Sequence, residues 1–280
     1  MFNLILAIIS SALVSIVMRM SVKYVRNNMG MLSASYFSCM FLAAVNLMPV
    51  SFPKHGEGIG TAVVLGIIAG ILFLAGFVLL QINVKRNGVV LSATFAKLGV
   101  LVPAFISVVF YSERMAVTQS IGFALALCAI ILINSDKERG NAEFKTGLIL
   151  LLLSNGLADA MAKIYEETGK SEWEDLYLIF TFMSAFIISM VIVMFKHEKM
   201  SIKDILFGFL LGIPNYYSVR FLMKALADIP AVITYPTYSV ATIVVISFSG
   251  TLLFKETLNR KQKAAVGIIM ISLVLLNIKI

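Results

Sequence analysis

One segment of this chain occurs twice, and this repeat constrains the fold more than any other feature. Residues 89–134 and 232–277 align without a gap. The positions shared in register include three polar pairs, which are Glu113 with Glu256, Gln119 with Gln262, and Asn134 with Asn277. Each copy is an apolar run, a short charged break and a second apolar run. Polar residues seldom match in register by chance between two apolar runs, so the chain is predicted to contain an internal repeat.

Composition indicates that the repeat belongs to a membrane protein. The 280 residues are 60% hydrophobic and 14% charged, whereas soluble domains carry about 25% charged residues. Crossing a bilayer takes about 20 mostly apolar residues. Suitable runs lie at 2–22, 31–50, 61–82, 89–110, 117–134, 146–165, 175–195, 204–226, 231–254 and 261–278. We therefore predict an all-α, multi-pass protein with ten transmembrane helices and no soluble domain between them.

The repeat extends to the two halves of the chain. Residues 10–20 align with residues 154–164, and the third and eighth runs share a pair of glycines four residues apart. We divide the chain into a first repeat, 1–134, and a second repeat, 146–280, with five predicted helices in each. An odd number of helices gives the two repeats opposite orientations, which is the inverted-topology architecture of many secondary transporters.

This arrangement resembles the EamA-type branch of the drug/metabolite transporter superfamily. Both halves carry a proline, a Glu, a Gln and then a Gly, namely Pro103, Glu113, Gln119 and Gly122, and Pro236, Glu256, Gln262 and Gly267. The resemblance implies a transporter, in a class whose members carry amino acids, sugars, nucleotide derivatives, drugs or lipid-linked intermediates. The chain departs from many relatives because it has no Arg in the second or seventh predicted helix, so no substrate contact is carried over from that residue.

Five cations within the predicted helices are the main candidates for a substrate site. Arg19, Lys163 and Lys224 lie near helix ends, where they can reach lipid headgroups. Lys97 lies about eight residues into its helix, or roughly 12 Å at 1.5 Å per residue. A cation at that depth is expected to face the protein interior. Arg220 lies at a depth between that of Lys97 and those of the three cations near helix ends.

The eighth predicted helix carries a row of residues at four-residue intervals. The row consists of Gly208, Gly212, Tyr216, Arg220 and Lys224. Residues four apart share one face of a helix, and glycines let a neighbouring membrane helix approach closely. We expect the polar end of the row to open on a cavity.

Asp159 is the acid that we expect inside the membrane, one helical turn from Lys163. Three interpretations are open. The residue could form a structural pair with Lys163, carry a proton between the two sides of the membrane, or contact a substrate amine.

Prolines and tyrosines indicate the wall of the predicted cavity. Pro236 interrupts the backbone hydrogen bonds of the ninth helix beside Tyr235 and Tyr238, and freed carbonyls are tolerated in a membrane where protein or water satisfies them. Ser239 lies on the same face as Tyr235. Tyr24, Tyr111 and Tyr165 lie near helix ends and are instead predicted to lie at the membrane interface.

The sequence predicts a secondary active transporter of a small polar metabolite, working by alternating access. Interior cations exceed interior acids, which favours an amino acid or organic anion, with export as the expected direction. The candidate substrate-binding residues are Lys97, Arg220, Tyr216, Tyr235, Tyr238, Asn215 and Ser239, with Asp159 binding a proton or an amine. The candidate structural or gating residues are Pro103, Pro214, Pro236, Glu113 and Glu256, with the two glutamates capping the helices that follow them.

Two other functions stay open. One is transport of a cationic, drug-like or lipid-linked substrate through an aromatic-lined cavity. The other is a membrane-embedded enzyme, although the sequence carries no His pair, no Cys–His pair and no phosphate-binding glycine loop. We expect no metal, cofactor or catalytic residue.

Charge indicates partners and location. Most of the 23 Lys and Arg residues lie in alternate breaks between the apolar runs, and such breaks normally face the cytoplasm. This predicts termini outside, whereas the resemblance implies termini in the cytoplasm. Basic loops beside anionic lipid account for the net charge of +8 without a nucleic-acid partner. We expect a monomer or homodimer in a bacterial-type plasma membrane, with lipid and a small-molecule substrate as partners.

Overall fold

The structure is a computed structural model that describes residues 1–21, 23–47, 58–87, 95–96, 99–112, 116–134, 145–197, 199–254, 264, 267–268, 271–272 and 274–275. Within these residues every regular element is helical.

Nine α-helices lie in the described part of the chain. They are α1 Phe2–Ser21, α2 Asn28–Leu47, α3 Ile59–Asn87, α4 Leu101–Phe110, α5 Val117–Asn134, α6 Lys145–Thr168, α7 Glu174–Phe195, α8 Ile202–Asp228 and α9 Ala231–Phe254. A short 3-10 helix, Ser171–Trp173, precedes α7. These helices correspond in order to the first nine predicted runs. The tenth run is described only at scattered residues, all of them helical, so the count of ten stays a prediction.

Six of the described helices are long and apolar enough to cross a membrane, and they are α1, α2, α3, α6, α7 and α8. Their outward faces carry large apolar side chains, including the exposed Ile5, Ile71, Val191 and Leu206. Outside a membrane such faces would form apolar surface far larger than soluble proteins expose. The chain is therefore an integral membrane protein.

The chain divides into two compact units. The first unit contains Phe2–Leu74 and Met161–Lys224, and the second contains Met1, Ala75–Ala160 and Ala225–Ile280. Each unit therefore includes segments from both sequence halves, and the boundaries fall inside α3, α6 and α8.

In the first unit, two glycines bring α3 against the backbone of α7. A Cβ atom on Gly66 would lie 2.7 Å from the carbonyl oxygen of Tyr177. One turn further along, Gly70 meets the carbonyl oxygen of Thr181 and the hydroxyl of Ser184. The Ser184 hydroxyl also donates to the Ile67 carbonyl at 3.4 Å. Close approach and interhelical hydrogen bonds are what hold helices together in lipid, where the hydrophobic effect does not.

Two glycines of α8 make the same kind of contact with α2. A Cβ atom on Gly208 would lie 2.5 Å from the carbonyl oxygen of Met31. A Cβ atom on Gly212 would lie 2.6 Å from the carbonyl oxygen of Ser35 and 2.9 Å from the hydroxyl of Ser38. The thiol of Cys39 donates to the Gly212 carbonyl at 3.2 Å. This confirms the prediction that the glycine end of the α8 row admits a neighbouring helix.

The two glycine contacts follow one pattern. In each, the first glycine meets a carbonyl oxygen, and the second meets a carbonyl oxygen and a serine hydroxyl. The α8 glycines lie 142 residues after those of α3, and the contacted residues of α7 lie 146 residues after those of α2. Helix α3 thus packs on α7 in the same way as α8 packs on α2.

The start of α8 is attached to the connection between α1 and α2. Ser201 and Asp204 form a capping box, since the Ser201 N–H donates to Asp204 Oδ2 at 2.8 Å and the Asp204 N–H donates to Ser201 Oγ at 3.3 Å. Asp204 Oδ1 also accepts the N–H of Arg26 at 2.9 Å and of Asn27 at 3.4 Å. One buried carboxylate therefore joins two segments that are distant in sequence.

In the second unit, a turn interrupts the predicted run from 89 to 110. Residues 95–96 are helical, Gly99 and Val100 form a turn, and α4 starts at Leu101. Pro103 has no N–H to donate to the Gly99 carbonyl, which instead accepts the Val102 N–H at 2.9 Å. Gly99 also lies against the backbone of α6, where a Cβ atom on it would approach the Gly156 nitrogen to 2.8 Å.

Candidate functional site

Three polar side chains from α7 and α8 join in the first unit. Arg220 Nη1 donates to Asp175 Oδ1 at 2.6 Å, and Arg220 Nη2 donates to Asp175 Oδ2 at 3.3 Å. The hydroxyl of Tyr216 accepts a hydrogen bond from Arg220 Nη1 and donates to Asp175 Oδ1 at 3.4 Å. We call these residues, Asp175, Tyr216 and Arg220, the Arg220 cluster.

The Arg220 cluster is largely withdrawn from the surface. The side chains of Arg220 and Asp175 are each 14% exposed, and Tyr216 is fully buried. The Tyr216 ring packs against Phe182 and Tyr217, with ring centroids 6.2 and 5.1 Å apart. An ion pair in such surroundings is electrostatically strong but expensive to desolvate.

Two further charges face the cluster. Glu174 and Lys224 both interact electrostatically with Asp175. The Oε1 atom of Glu174 is buried and has no hydrogen-bond partner among the described residues. Two acids and two bases therefore meet where α7 begins beside α8, and their formal charges balance.

The geometry corrects two sequence predictions about Arg220. The α8 row does present Tyr216 and Arg220 on one face, but Asp175 meets the polar end of the row where an open cavity was expected. Arg220 also has a carboxylate partner, so it does not add to an excess of interior cations. The prediction missed Asp175 because it lies at the start of a helix, where sequence reasoning assigns acids to the surface. The Glu174–Asp175 pair directly before an apolar run was the available signal.

A second contact lies in the other unit. The hydroxyl of Tyr235 on α9 donates to the backbone carbonyl of Asp159 on α6 at 2.5 Å. The sequence predicted that Tyr235 would pack on the substrate, whereas the structure uses its hydroxyl to join two helices. The Asp159 residue itself is half-buried.

The first half of α9 is buried on every side. All residues from 231 to 240 are buried, including the predicted site residues Tyr238 and Ser239. Pro236 lies inside this helix, as predicted. The hydroxyls of Thr237 and Thr242 are buried and have no hydrogen-bond partner within the described part of the chain. The sequence places Thr242 on the same face as Tyr235 and Ser239, whereas it did not single out Thr237, which is an additional candidate polar group.

Lys163 and Tyr165 differ from their predicted roles at the membrane surface. Lys163 is 3% exposed, and its ammonium lies 2.7 Å from Glu166 Oε2 and 2.5 Å from Glu167 Oε1. The ring of Tyr165 stacks on Tyr177 at 4.4 Å between centroids. Both side chains therefore point into the first unit rather than towards lipid headgroups. The Asp159–Lys163 pair stays a prediction.

The structure describes three of the remaining candidate residues and leaves three others outside the described part of the chain. Pro214 lies inside α8, and Asn215 is buried beside it. Pro103 is buried in the first turn of α4. Lys97, Glu113 and Glu256 lie outside the described residues, so their roles stay predictions.

Known proteins match this chain in sequence and in fold. Residues 146–278 match the EamA-like transporter family. An uncharacterized protein of Haemophilus influenzae (strain ATCC 51907 / DSM 11121 / KW20 / Rd) is 21% identical over 272 residues, which span 93% of this chain and 92% of the relative. A solved crystal structure has a TM-score of 0.71 at 13% identity and covers 98% of this chain and 97% of its own, a likeness that shows the fold alone. The likeness of residues 146–278 to the EamA-like transporter family points to a membrane transporter rather than an enzyme.

Proposed function

We propose that this protein is a secondary active transporter of a small polar metabolite that carries a carboxylate. It works by alternating access between two inverted repeats, 1–134 and 146–280. The observation that carries the proposal is the Arg220 cluster. Arg220 lies eight residues before the end of α8, or roughly 12 Å along the helix. Charged groups placed within membrane helices are costly, and they commonly mark the path of a substrate or ion.

The recurring glycine contacts support the two-repeat arrangement. A two-fold relation between the halves would exchange α2 with α7 and α3 with α8. The contact of α3 on α7 would then reappear as a contact of α8 on α2. Both contacts are present, with glycines and their partners at constant offsets of 142 and 146 residues. Internal repeats of this kind are the basis of alternating access in many transporters.

The same offsets indicate that the charges serve function rather than folding. Residues 142 positions before Tyr216 and Arg220 are Leu74 and Val78, and the residue 146 positions before Asp175 is Met29. The first repeat therefore carries apolar residues at all three positions. Replacing a buried ion pair with apolar residues is often neutral or stabilising. A fold that needs no charges in one repeat has no structural need for them in the other.

Arginine favours a carboxylate as ligand. Its planar guanidinium donates two parallel hydrogen bonds, which matches the two oxygens of a carboxylate. Asp175 already makes such a two-point contact with Arg220. The site is therefore shaped to hold a carboxylate, whether it comes from Asp175 or from a substrate. This favours amino acids and organic acids over sugars and nucleosides.

Counterflow in proteoliposomes tests the proposal. The full chain would be reconstituted and loaded in turn with pools of amino acids, organic acids, quaternary amines, sugars and nucleosides, and uptake of the labelled pool would be measured. We expect exchange of a carboxylate-bearing pool that is lost in Arg220→Gln and kept in Arg19→Gln, which changes an exposed arginine of α1. Exchange of no pool, or undiminished exchange by Arg220→Gln, would refute the proposal. Exchange of quaternary amines alone would support the cationic alternative.

A further inference from the structure

We propose that Asp175 and Arg220 are two halves of one binding site for a zwitterion, a small molecule that carries both a carboxylate and an ammonium. The molecule enters by separating the pair, so that its carboxylate binds Arg220 and its ammonium binds Asp175. This inference rests on the proposed transport function and narrows its substrate class. The geometry that carries it is an ion pair already joined at two points between α7 and α8.

Charge balance around the pair selects for a zwitterion. The carboxyl groups of Asp175 and Glu174 lie near the cationic groups of Arg220 and Lys224. A simple anion on Arg220 would leave Asp175 without its partner, beside the carboxyl group of Glu174. A simple cation on Asp175 would likewise leave Arg220 without its partner. A zwitterion gives each separated charge a new partner and keeps the sum unchanged, which avoids an uncompensated buried charge.

Glu174 adds a polar atom that is ready to receive an ammonium. Its Oε1 atom is buried and accepts no hydrogen bond from the described residues. An ammonium offers three donors, so one bound to Asp175 would also bring a donor near Glu174, which interacts electrostatically with Asp175. A buried acceptor without a donor is costly, and binding the ammonium would remove that cost.

Tyr216 keeps Arg220 in position while its partner changes. The Arg220 guanidinium carbon lies 5.7 Å from the centre of the Tyr216 ring, on the side of its hydroxyl. The Tyr216 hydroxyl also bonds to both Arg220 and Asp175. When Asp175 moves away, Arg220 still has the hydroxyl of Tyr216 as a partner. The hydroxyl is then free to donate to the incoming carboxylate in place of Asp175.

Opening the pair also releases α7 from α8 at this point. Asp175 lies in the first turn of α7, and Arg220 lies on α8. A bound zwitterion would bridge the two helices again, one charge to each. Closure of α7 on α8 would therefore follow the occupancy of the site.

Ligand-dependent thermal unfolding of the purified full chain tests the site. Each of the twenty proteinogenic amino acids would be titrated, since a ligand of the folded state raises the Tm as its concentration passes the Kd. The amino acid that acts at the lowest concentration would then be compared with its decarboxylated amine and its deaminated acid. For L-leucine these are 3-methylbutylamine and 4-methylpentanoate. We expect the amino acid to act at concentrations at least tenfold below either analogue.

Single substitutions of Asp175 and Arg220 test the ammonium-binding and the carboxylate-binding half of the site separately. Asp175→Asn should abolish the preference for the amino acid over its deaminated acid, so that both raise the Tm at the same concentration. Arg220→Gln should remove the response to every carboxylate. If either protein is too unstable to measure, Asp175→Met with Arg220→Val replaces the pair by the residues found at the matching positions of the first repeat. That double variant should keep its unliganded Tm within a few degrees and lose the amino-acid response.

The outcomes distinguish this inference from the proposed function. An analogue that acts as well as the amino acid, or a double variant that keeps the amino-acid response, overturns the zwitterion site. Counterflow of organic acids or amines without any of amino acids overturns the site but leaves a transporter. Counterflow of none of the pools overturns the transporter itself.

Discussion

The glycine contact between α2 and α8 predicts a large difference between two chemically identical substitutions. Gly212→Ala places a methyl group 2.6 Å from the carbonyl oxygen of Ser35, whereas Gly60→Ala on α3 places it where nothing lies within 4 Å. Ordinary contacts begin at 3.4 Å. The two helices must therefore move apart by about 0.8 Å at Gly212, and the surrounding contacts weaken as they do so.

The difference in the free energy of unfolding between Gly212→Ala and Gly60→Ala reports the cost of this clash. Alanine improves helix propensity by about 0.5–1 kcal/mol over glycine inside a helix. Gly212 lies inside α8 and gains this in full, whereas Gly60 lies in the first turn of α3 and gains less, so the measured difference is a lower bound on the cost of the clash. Forcing extra atoms into a packed interface costs about 1–3 kcal/mol. We expect Gly212→Ala to unfold with a free energy about 1–3 kcal/mol below that of Gly60→Ala.

The free energy of unfolding can be measured by titrating the purified protein in mixed micelles with sodium dodecyl sulfate and following helicity by circular dichroism. Gly66→Ala serves as a second test, because it meets the Tyr177 carbonyl oxygen at 2.7 Å in the matching contact. Equal unfolding free energies for Gly212→Ala and Gly60→Ala would show that α2 and α8 do not touch as the structure has them. A clash at Gly212 but none at Gly66 would argue against the matched pattern of contacts.

Three further substitutions test other contacts by thermal unfolding. Asp204→Ala removes the acceptor of three backbone N–H groups and should cost about 1–2 kcal/mol, more than Ser201→Ala, which loses only the cap. Equal effects of the two substitutions would exclude a role for the bonds from Arg26 and Asn27. Tyr235→Phe removes the hydroxyl that donates to the Asp159 carbonyl at 2.5 Å and should cost about 0.5–1.5 kcal/mol, so an unchanged Tm would argue against that bond. Lys163→Met leaves two glutamates without their shared cation and should cost about 1–2 kcal/mol. The cost is this small because both glutamates are partly exposed and water screens their charges. A variant more stable than the natural chain would contradict the pairing.

The predicted α8 row illustrates how far sequence reasoning reached towards the site. Spacing alone placed Gly208, Gly212, Tyr216 and Arg220 on one face, because residues four apart stack along a helix. The structure confirms that face and adds Asp175, which no local pattern connects to Arg220. Their separation of 45 residues means that the contact depends on how α7 and α8 pack and rotate. Neither quantity is encoded in the spacing of either helix.

The sequence by itself determined that this chain spans a membrane with helices. In lipid every backbone N–H and C=O needs an internal partner, and apolar runs of this length satisfy that need as α-helices wherever they fold. The α3 and α8 glycine pairs could also be recognised from the sequence. Only the tertiary structure decided that Lys163 is buried, that Tyr165 stacks on Tyr177, and that Arg220 closes on Asp175. Hydropathy measures how each residue partitions into lipid, whereas this burial and these two contacts depend on which faces of different helices meet.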